Sequence, residues 1–143
     1  MSRKAGVLIL LGILLASLLP ACAGSGGNDL AMASMNGMPA EVRSAPTTVQ
    51  QAYQFAVANP EIMKQIPCYC GCVSMGHTSN YSCYVTSVEP NGTITFDTHA
   101  LGCSLCVDIT QDTMGLLKQG KTAQEIKAYV DSSYSKYGPS NIP

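Results

Sequence analysis

The feature that most constrains this chain is a concentration of sulfur and imidazole side chains in its middle. Six of the seven cysteines and both histidines of the 143 residues fall within residues 68–106. Three of these cysteines alternate with other residues in the stretch "PCYCGC" at residues 67–72. A fold that gathers such residues can join them by disulfides, use them for thiol exchange, or coordinate a metal ion with them.

Residues 1–21 predict a lipoprotein signal peptide. Arg3 and Lys4 precede the apolar run "AGVLILLGILLASLL", and "LPAC" then ends at Cys22 and resembles a lipobox. The resemblance implies that Cys22 carries acyl chains such as palmitate and anchors the protein to the cell membrane, facing the extracytoplasmic side. An ordinary cleaved secretory signal is the alternative. Both interpretations place the domain where oxidants reach its thiols.

Composition argues against several classes of function. The chain has 9 acidic and 8 basic residues, and two of the basic ones, Arg3 and Lys4, lie in the predicted signal. No basic stripe remains to bind a nucleic-acid backbone. The sequence also shows no Ser/His/Asp triad, paired acid/base carboxylates or phosphate loop, so a binding role is favoured over an enzymatic one.

Residues 22–46 predict a flexible tether, because they are rich in Gly, Ala, Ser and Pro without a sustained period. Met32, Met35 and Met38 recur within it, and thioethers suit Cu(I), but a disordered linker tolerates methionine equally and we favour that interpretation. The packed domain is predicted at residues 47–138, followed by a tail at 139–143. A domain of about ninety residues gains from disulfides or a bound metal.

Two helical segments are predicted before the cysteines. The first begins at Thr47 or Thr48 and ends near Ala58. Asn59 as N-cap and Pro60 at the first helical position predict a second, short helix, which ends at the proline of "PCYCGC".

A β-hairpin is predicted at residues 82–99, where alternating residues flank "EPNG" at 89–92. A three-residue loop is favoured, and a two-residue loop would pair Cys83 with Ala100. The favoured register places Asp97 on the Cys83 face, where it could orient His99. Its pairs are Val88 with Ile94, Thr86 with Phe96, and Cys83 with His99.

Two further helices are predicted after the hairpin. Cys103 opens one that runs to about Gln119 and stops at Gly120. Thr122 and Glu125 form a capping box for the last helix. The whole pattern predicts a small single α+β domain with N-terminal helices, a cysteine-rich loop, a hairpin and two C-terminal helices.

Three functions are compatible with the cysteines. Metal binding uses the most residues, and the favoured ion is copper, for delivery or sequestration, with zinc as the other possibility. A thiol–disulfide protein would use Cys103 and Cys106, whose Cys-x-x-Cys spacing opens a helix. A structural module would carry three disulfides. The candidate metal ligands are Cys68, Cys70, Cys72, His77, Cys83, His99, Cys103 and Cys106.

The runs "IPCYCGCVSMGHTSNYSCYV", "FDTHALGCSLCVDI" and "GKTAQEIKAYVDSSY" resemble the bacterial PCYCGC-motif lipoproteins. The resemblance extends over residues 50–138, and the family's pattern coincides with the eight candidate ligands. That family has no assigned biochemical function. The resemblance therefore implies a fold and a location rather than an activity, and it leaves any metallo-protein or redox partner unidentified.

Overall fold

A computed structural model of the protein describes residues 29–142. Over this range the chain forms six helices and one antiparallel hairpin, which confirms the α+β class. The helices are α1 (Ala40–Arg43), α2 (Thr47–Ala58), α3 (Pro60–Met63), α4 (His99–Gly102), α5 (Ser104–Lys118) and α6 (Ala123–Tyr134), and the strands are β1 (Val85–Val88) and β2 (Ile94–Phe96). No helix in residues 29–142 is long and apolar enough to cross a membrane.

The core lies between α2 and α5, with α6 packed against α5. Helix α2 buries Ala52, Phe55 and Ala56, and α6 contributes Ile126 and Val130. Burying these side chains is the main favourable contribution to folding. The cysteine-rich segment packs against one end of this core, since most of its thiols are as inaccessible as the aliphatic residues.

Residues 29–46 differ from the predicted flexible tether. Met38 and Val42 are buried in the core, and Val42 lies within α1. The segment is also joined to α2 by a pair of hydrogen bonds, because Ala33 N–H donates to the Gln54 carbonyl (3.0 Å) and Gln54 Nε2 donates to the Ala33 carbonyl (2.8 Å). The sequence did not reveal these contacts with the core and with α2, because the segment is rich in small residues. The predicted signal peptide and Cys22 lie outside the described residues.

The hairpin confirms the predicted loop but not the whole register. Glu89 N–H donates to the Thr93 carbonyl (2.8 Å) and Gly92 N–H to the Glu89 carbonyl (2.8 Å), so the loop has three residues. Gly92 has φ of 86°, a left-handed conformation that glycine adopts without steric cost.

The predicted strand pairing is correct only for the residue pair next to the turn. Val88 pairs with Ile94 as predicted, but Phe96 pairs with Val85 rather than with Thr86. An irregularity between Val85 and Ser87 inserts one residue into β1, and such a bulge shifts every later pair. The predicted strand pairing of Cys83 with His99 is therefore wrong.

The helices after the hairpin begin and end close to the predicted residues. Cys103 is the N-cap of α5, and Gly120 follows its C-terminus with φ of 78°. The predicted capping box is present at α6, where Glu125 N–H donates to Thr122 Oγ1 (3.3 Å) and Thr122 N–H donates to Glu125 Oε2 (2.9 Å). The short helix α4, which carries His99, was not predicted.

Candidate metal centre

All eight predicted ligands come together at one end of the core. They form four groups, and the ligand atoms within each group lie within 4.8 Å of one another. We name them the outer group (Cys70, His99, Cys103, Cys106), the histidine group (Cys72, His77, Cys83, His99), the loop group (Cys68, Cys70, Cys72) and the buried group (Cys68, Cys83, Cys106). Thiolate and imidazole are ligands for copper and zinc, so these groups could hold a metal ion.

A left-handed turn at Gly71 brings the three cysteines of "PCYCGC" to one side of the chain. In an extended strand Cys70 would point away from Cys68 and Cys72. Gly71 instead has φ of 80°, and the next residues form a 3₁₀ turn, Cys72–Met75. Cys68 Sγ lies 3.4 Å from Cys70 Sγ, so the chain is already bent before Gly71, and the turn at Gly71 then places Cys72 beside this pair. The glycine is needed for its backbone conformation, since a Cβ there would meet nothing within 4 Å.

Cys106 lies in the first turn of α5, and its sulfur is central to the cluster. Cys106 Sγ is 3.4 Å from Cys68 Sγ, 3.7 Å from Cys70 Sγ and 3.3 Å from Cys83 Sγ. Cys83 itself ends the 3₁₀ turn Asn80–Cys83, directly before β1. Helix, loop and hairpin therefore each contribute sulfur to the same small volume.

Polar side chains fix the backbone of Cys106. Its carbonyl accepts hydrogen bonds from Asn80 Nδ2 (3.3 Å), Tyr84 OH (2.9 Å) and Thr110 Oγ1 (3.0 Å). All three of these side chains are fully buried. Buried polar groups paired in this way hold a unique geometry, because leaving any one of them unpaired is costly. Sequence analysis did not identify these supporting residues.

His77 is held by a carboxylate and keeps one nitrogen free. Its Nε2 lies 3.2 Å from Asp97 Oδ2, and its buried Nδ1 has no hydrogen-bond partner among residues 29–142. Only 5% of the residue is exposed. An Nε2–H that donates to Asp97 leaves the Nδ1 lone pair available. Metal-binding histidines are oriented by carboxylates in this manner.

His99 is positioned differently from the prediction. Its Nε2 lies 3.3 Å from Cys70 Sγ, and its ring meets that of His77 edge to face at 5.2 Å. Asp97 Oδ1 accepts a hydrogen bond from the backbone N–H of His99 (2.7 Å), so the carboxylate orients the imidazole of His77 and only the main chain of His99. His99 lies in α4 and not in a β-strand, so its ring does not occupy the strand face that was predicted for it.

Asn141 is a supporting residue that the sequence did not reveal. Its Oδ1 accepts from Cys68 N–H (2.6 Å), its N–H donates to the Cys68 carbonyl (3.1 Å), and its Nδ2 lies 3.7 Å from Cys72 Sγ. Asn141 is buried, so residues 139–142, predicted to form a tail, close one side of the centre. No pattern in the C-terminal sequence distinguishes this asparagine from one in a free tail.

Burial differs across the cluster. Cys68, Cys72, Cys83, Cys106 and His77 are buried, whereas the outer group also contains half-buried residues. The half-buried residues are Cys70, His99 and Cys103. The outer group is thus the side from which a ligand or partner can approach.

The sulfurs also divide by protonation. Hydrogen bonds from Cys106 and then Cys83 lower the pKa of Cys68 to about 2. Burial raises the pKa of Cys70 and Cys72, and hydrogen bonds with Cys68 and Cys83 raise the pKa of Cys106. The hydrogen bonds among these sulfurs therefore favour a thiolate at Cys68 and thiols around it.

All six cysteines of the described residues are free thiols. Cys83 Sγ and Cys106 Sγ lie 3.3 Å apart, which exceeds the disulfide bond length of about 2.05 Å. The prediction of a module with three disulfides does not describe this structure.

One protein family matches this sequence. The sequence model of a family described as a protein of unknown function with PCYCGC motif matches residues 22–143. Neither the search of curated proteins nor that of solved structures found a match.

Proposed function

Because this chain belongs to the family of proteins of unknown function with the PCYCGC motif, whose description names no activity, we propose a function from the centre itself. The protein binds copper as Cu(I) for delivery or sequestration, and Cys22 anchors it by a lipid to the extracytoplasmic face of the cell membrane. The observation that carries this proposal is the convergence of six free thiols and two imidazoles in four groups of ligand atoms.

The donor set favours copper over zinc. Thiolate is a soft ligand and selects Cu(I), whereas structural zinc sites are four-coordinate. Two of the four groups, the loop group and the buried group, consist of three sulfurs each. Cu(I) is satisfied by two or three sulfurs, so it suits these groups better than zinc does.

The proposed location rests on the N-terminal sequence. The apolar run followed by "LPAC" at Cys22 supports export and acylation. An exported thiol-rich centre meets oxidants, and bound copper would protect its sulfurs from disulfide formation. The half-buried outer group supports delivery, because a partner thiol could reach Cys103 without opening the core.

Anaerobic metal binding tests the proposal. The full-length protein, purified in detergent without oxygen, is titrated with Cu(I) against a coloured Cu(I) chelator, and a parallel titration uses Zn²⁺. We expect a dissociation constant for Cu(I) below about 1 μM, equivalent to about −8 kcal/mol, and preference over Zn²⁺. Protein that retains no stoichiometric metal and takes up none at this affinity would contradict the proposal.

A second candidate function is thiol–disulfide exchange through Cys103 and Cys106. The observation in its favour is that Cys103 is half-buried at the N-cap of α5 while Cys106 is buried one turn later, which is the arrangement of an attacking and a resolving thiol. The matched variants Cys103→Ser and Cys72→Ser separate the two functions. Exchange with a disulfide reagent should fail only in Cys103→Ser, and equal rates in wild type and Cys103→Ser would exclude this candidate.

A further inference from the structure

The four ligand groups are not independent sites, because they share members. Five of the six cysteines belong to two groups each, and only Cys103 belongs to one. Every pair of groups has one residue in common. The shared residues are Cys70 (outer and loop), Cys106 (outer and buried), Cys72 (histidine and loop), Cys83 (histidine and buried), Cys68 (loop and buried) and His99 (outer and histidine).

This pattern of sharing is that of a tetrahedron. Four groups taken as corners have six connecting edges, and five of these edges each carry one cysteine. A thiolate has several lone pairs and bridges two metal ions, whereas an imidazole nitrogen has one and binds a single ion. His99 is shared by the outer and histidine groups, so it would bind the ion of one of these groups but not both.

The two ligands that are not shared complete the outer group and the histidine group. Cys103 occurs only in the outer group, and His77 occurs only in the histidine group. Before His99 is counted, each corner then has three ligands. The loop and buried groups each have three bridging thiolates, and the outer and histidine groups each have two, together with Cys103 or His77. The free, buried Nδ1 of His77 is what such a corner requires.

We propose that the centre holds four Cu(I) ions as one cluster, with each ion in one of the four groups and the five shared cysteines bridging neighbouring ions. This assignment rests on the proposed binding of copper. Three ligands per ion suit Cu(I) and fall short of the four that zinc takes. Binding is not a redox step: Cu(I) displaces thiol protons to the solvent and keeps its charge.

Spacing agrees with a cluster of Cu(I) ions, which would also neutralise most of the charge of the six thiolates. Two sulfurs on one three-coordinate ion, with bonds of about 2.3 Å, lie about 4 Å apart. The four measured sulfur pairs lie at 3.3–3.7 Å, so the thiols need to separate by only roughly half an ångström on loading.

The copper-to-protein ratio at saturation tests the cluster. Full-length protein in detergent is titrated without oxygen with Cu(I) supplied as its acetonitrile complex, and bound copper is counted by elemental analysis and native mass spectrometry. We expect four Cu(I) per chain, an orange luminescence typical of water-excluded Cu(I)–thiolate clusters, and copper–copper scattering in X-ray absorption.

Saturation below four, or an absence of copper–copper scattering, would overturn the cluster. Saturation at one copper per chain would overturn the cluster but would leave the proposed copper-binding function intact. Protein that binds no copper at all would contradict both.

A matched pair of variants tests the bridging. Cys68→Ser removes the thiolate shared by the loop and buried groups and leaves each with two sulfurs, so we expect the saturated ratio to fall below four. Cys103→Ser removes a ligand of the outer group only, so we expect a smaller loss of bound copper than in Cys68→Ser. Equal losses in the two variants would overturn the bridging assignment. Circular dichroism checks that both variants fold, and the wild-type ratio tests the cluster independently of either.

Discussion

The carboxylate of Asp97 offers a sharp test of how the fold prepares the centre. Asp97 Oδ2 lies 3.2 Å from His77 Nε2, and its Oδ1 accepts from His99 N–H at 2.7 Å. Asp97→Asn keeps the size of the side chain and removes its charge. We expect this variant to bind Cu(I) less tightly, because the Nε2–H of His77 loses its charged acceptor and the free Nδ1 becomes a weaker, less oriented ligand.

The size of the loss in Cu(I) affinity depends on the hydrogen bonds that Asn can still accept. Loss of an outer-shell partner of a metal-binding histidine typically costs about 10–100-fold in affinity. Asn has one acceptor oxygen in place of two, so it can accept from His77 Nε2 or from His99 N–H but not from both. The loss of affinity should therefore be at least about tenfold, or about 1.4 kcal/mol. Folding should weaken by about 1 kcal/mol through the loss of one hydrogen bond, because the bond from Tyr53 OH goes to the backbone carbonyl of residue 97 and is retained.

Competition titration with a Cu(I) chelator measures the affinity, and urea unfolding of the metal-free protein measures the stability. The control is Asp108→Asn, which removes the same charge from an exposed position on α5. The reasoning is refuted if Asp97→Asn and Asp108→Asn bind Cu(I) equally well. A drop in stability that matches the drop in affinity would also refute it, since the effect would then lie in folding.

Three further predictions concern the surroundings of the centre. Gly71→Ala should lower the free energy of unfolding by about 1–2 kcal/mol, because alanine is strained at φ of 80°; Gly115→Ala, inside α5 with open space at its Cβ, should raise it by up to about 1 kcal/mol. Asn141→Ala should lower the unfolding free energy by about 1–3 kcal/mol, since the buried Cys68 N–H loses its acceptor. Copper affinity should rise with pH, because the raised pKa of Cys106 keeps that thiol protonated and the metal must displace its proton.

Each of these predictions has a direct measurement. Urea unfolding followed by circular dichroism reports the glycine and asparagine variants, and equal stability of the two glycine variants would contradict the role of the left-handed turn. An unchanged unfolding midpoint in Asn141→Ala would show that the C-terminal segment does not hold the motif. Calorimetric Cu(I) titration in two buffers of different ionisation enthalpy counts the released protons, and a count of zero would contradict the predicted pH dependence.

Local features of the fold were predictable because short-range interactions determine them. The loop at Gly92 and the capping box of Thr122 and Glu125 depend on residues within a few positions of one another, and both were predicted correctly. The bulge in β1 was not predictable, because it depends on how β1 packs and not on its own residues. The burial of Met38 was missed for a related reason: the segment around it is rich in small residues and has no sustained helical or strand period, although the folded core covers Met38.

The sequence by itself determined which atoms could form the centre. Six cysteines and two histidines within residues 68–106 specify a soft donor set whatever the fold, since ligand chemistry belongs to the side chain. Only the tertiary structure decided how these atoms are grouped. Which sulfur lies between which neighbours depends on the turn at Gly71, the packing of α5 and the closure by Asn141, and contacts between residues far apart in the chain arise only when the core is packed.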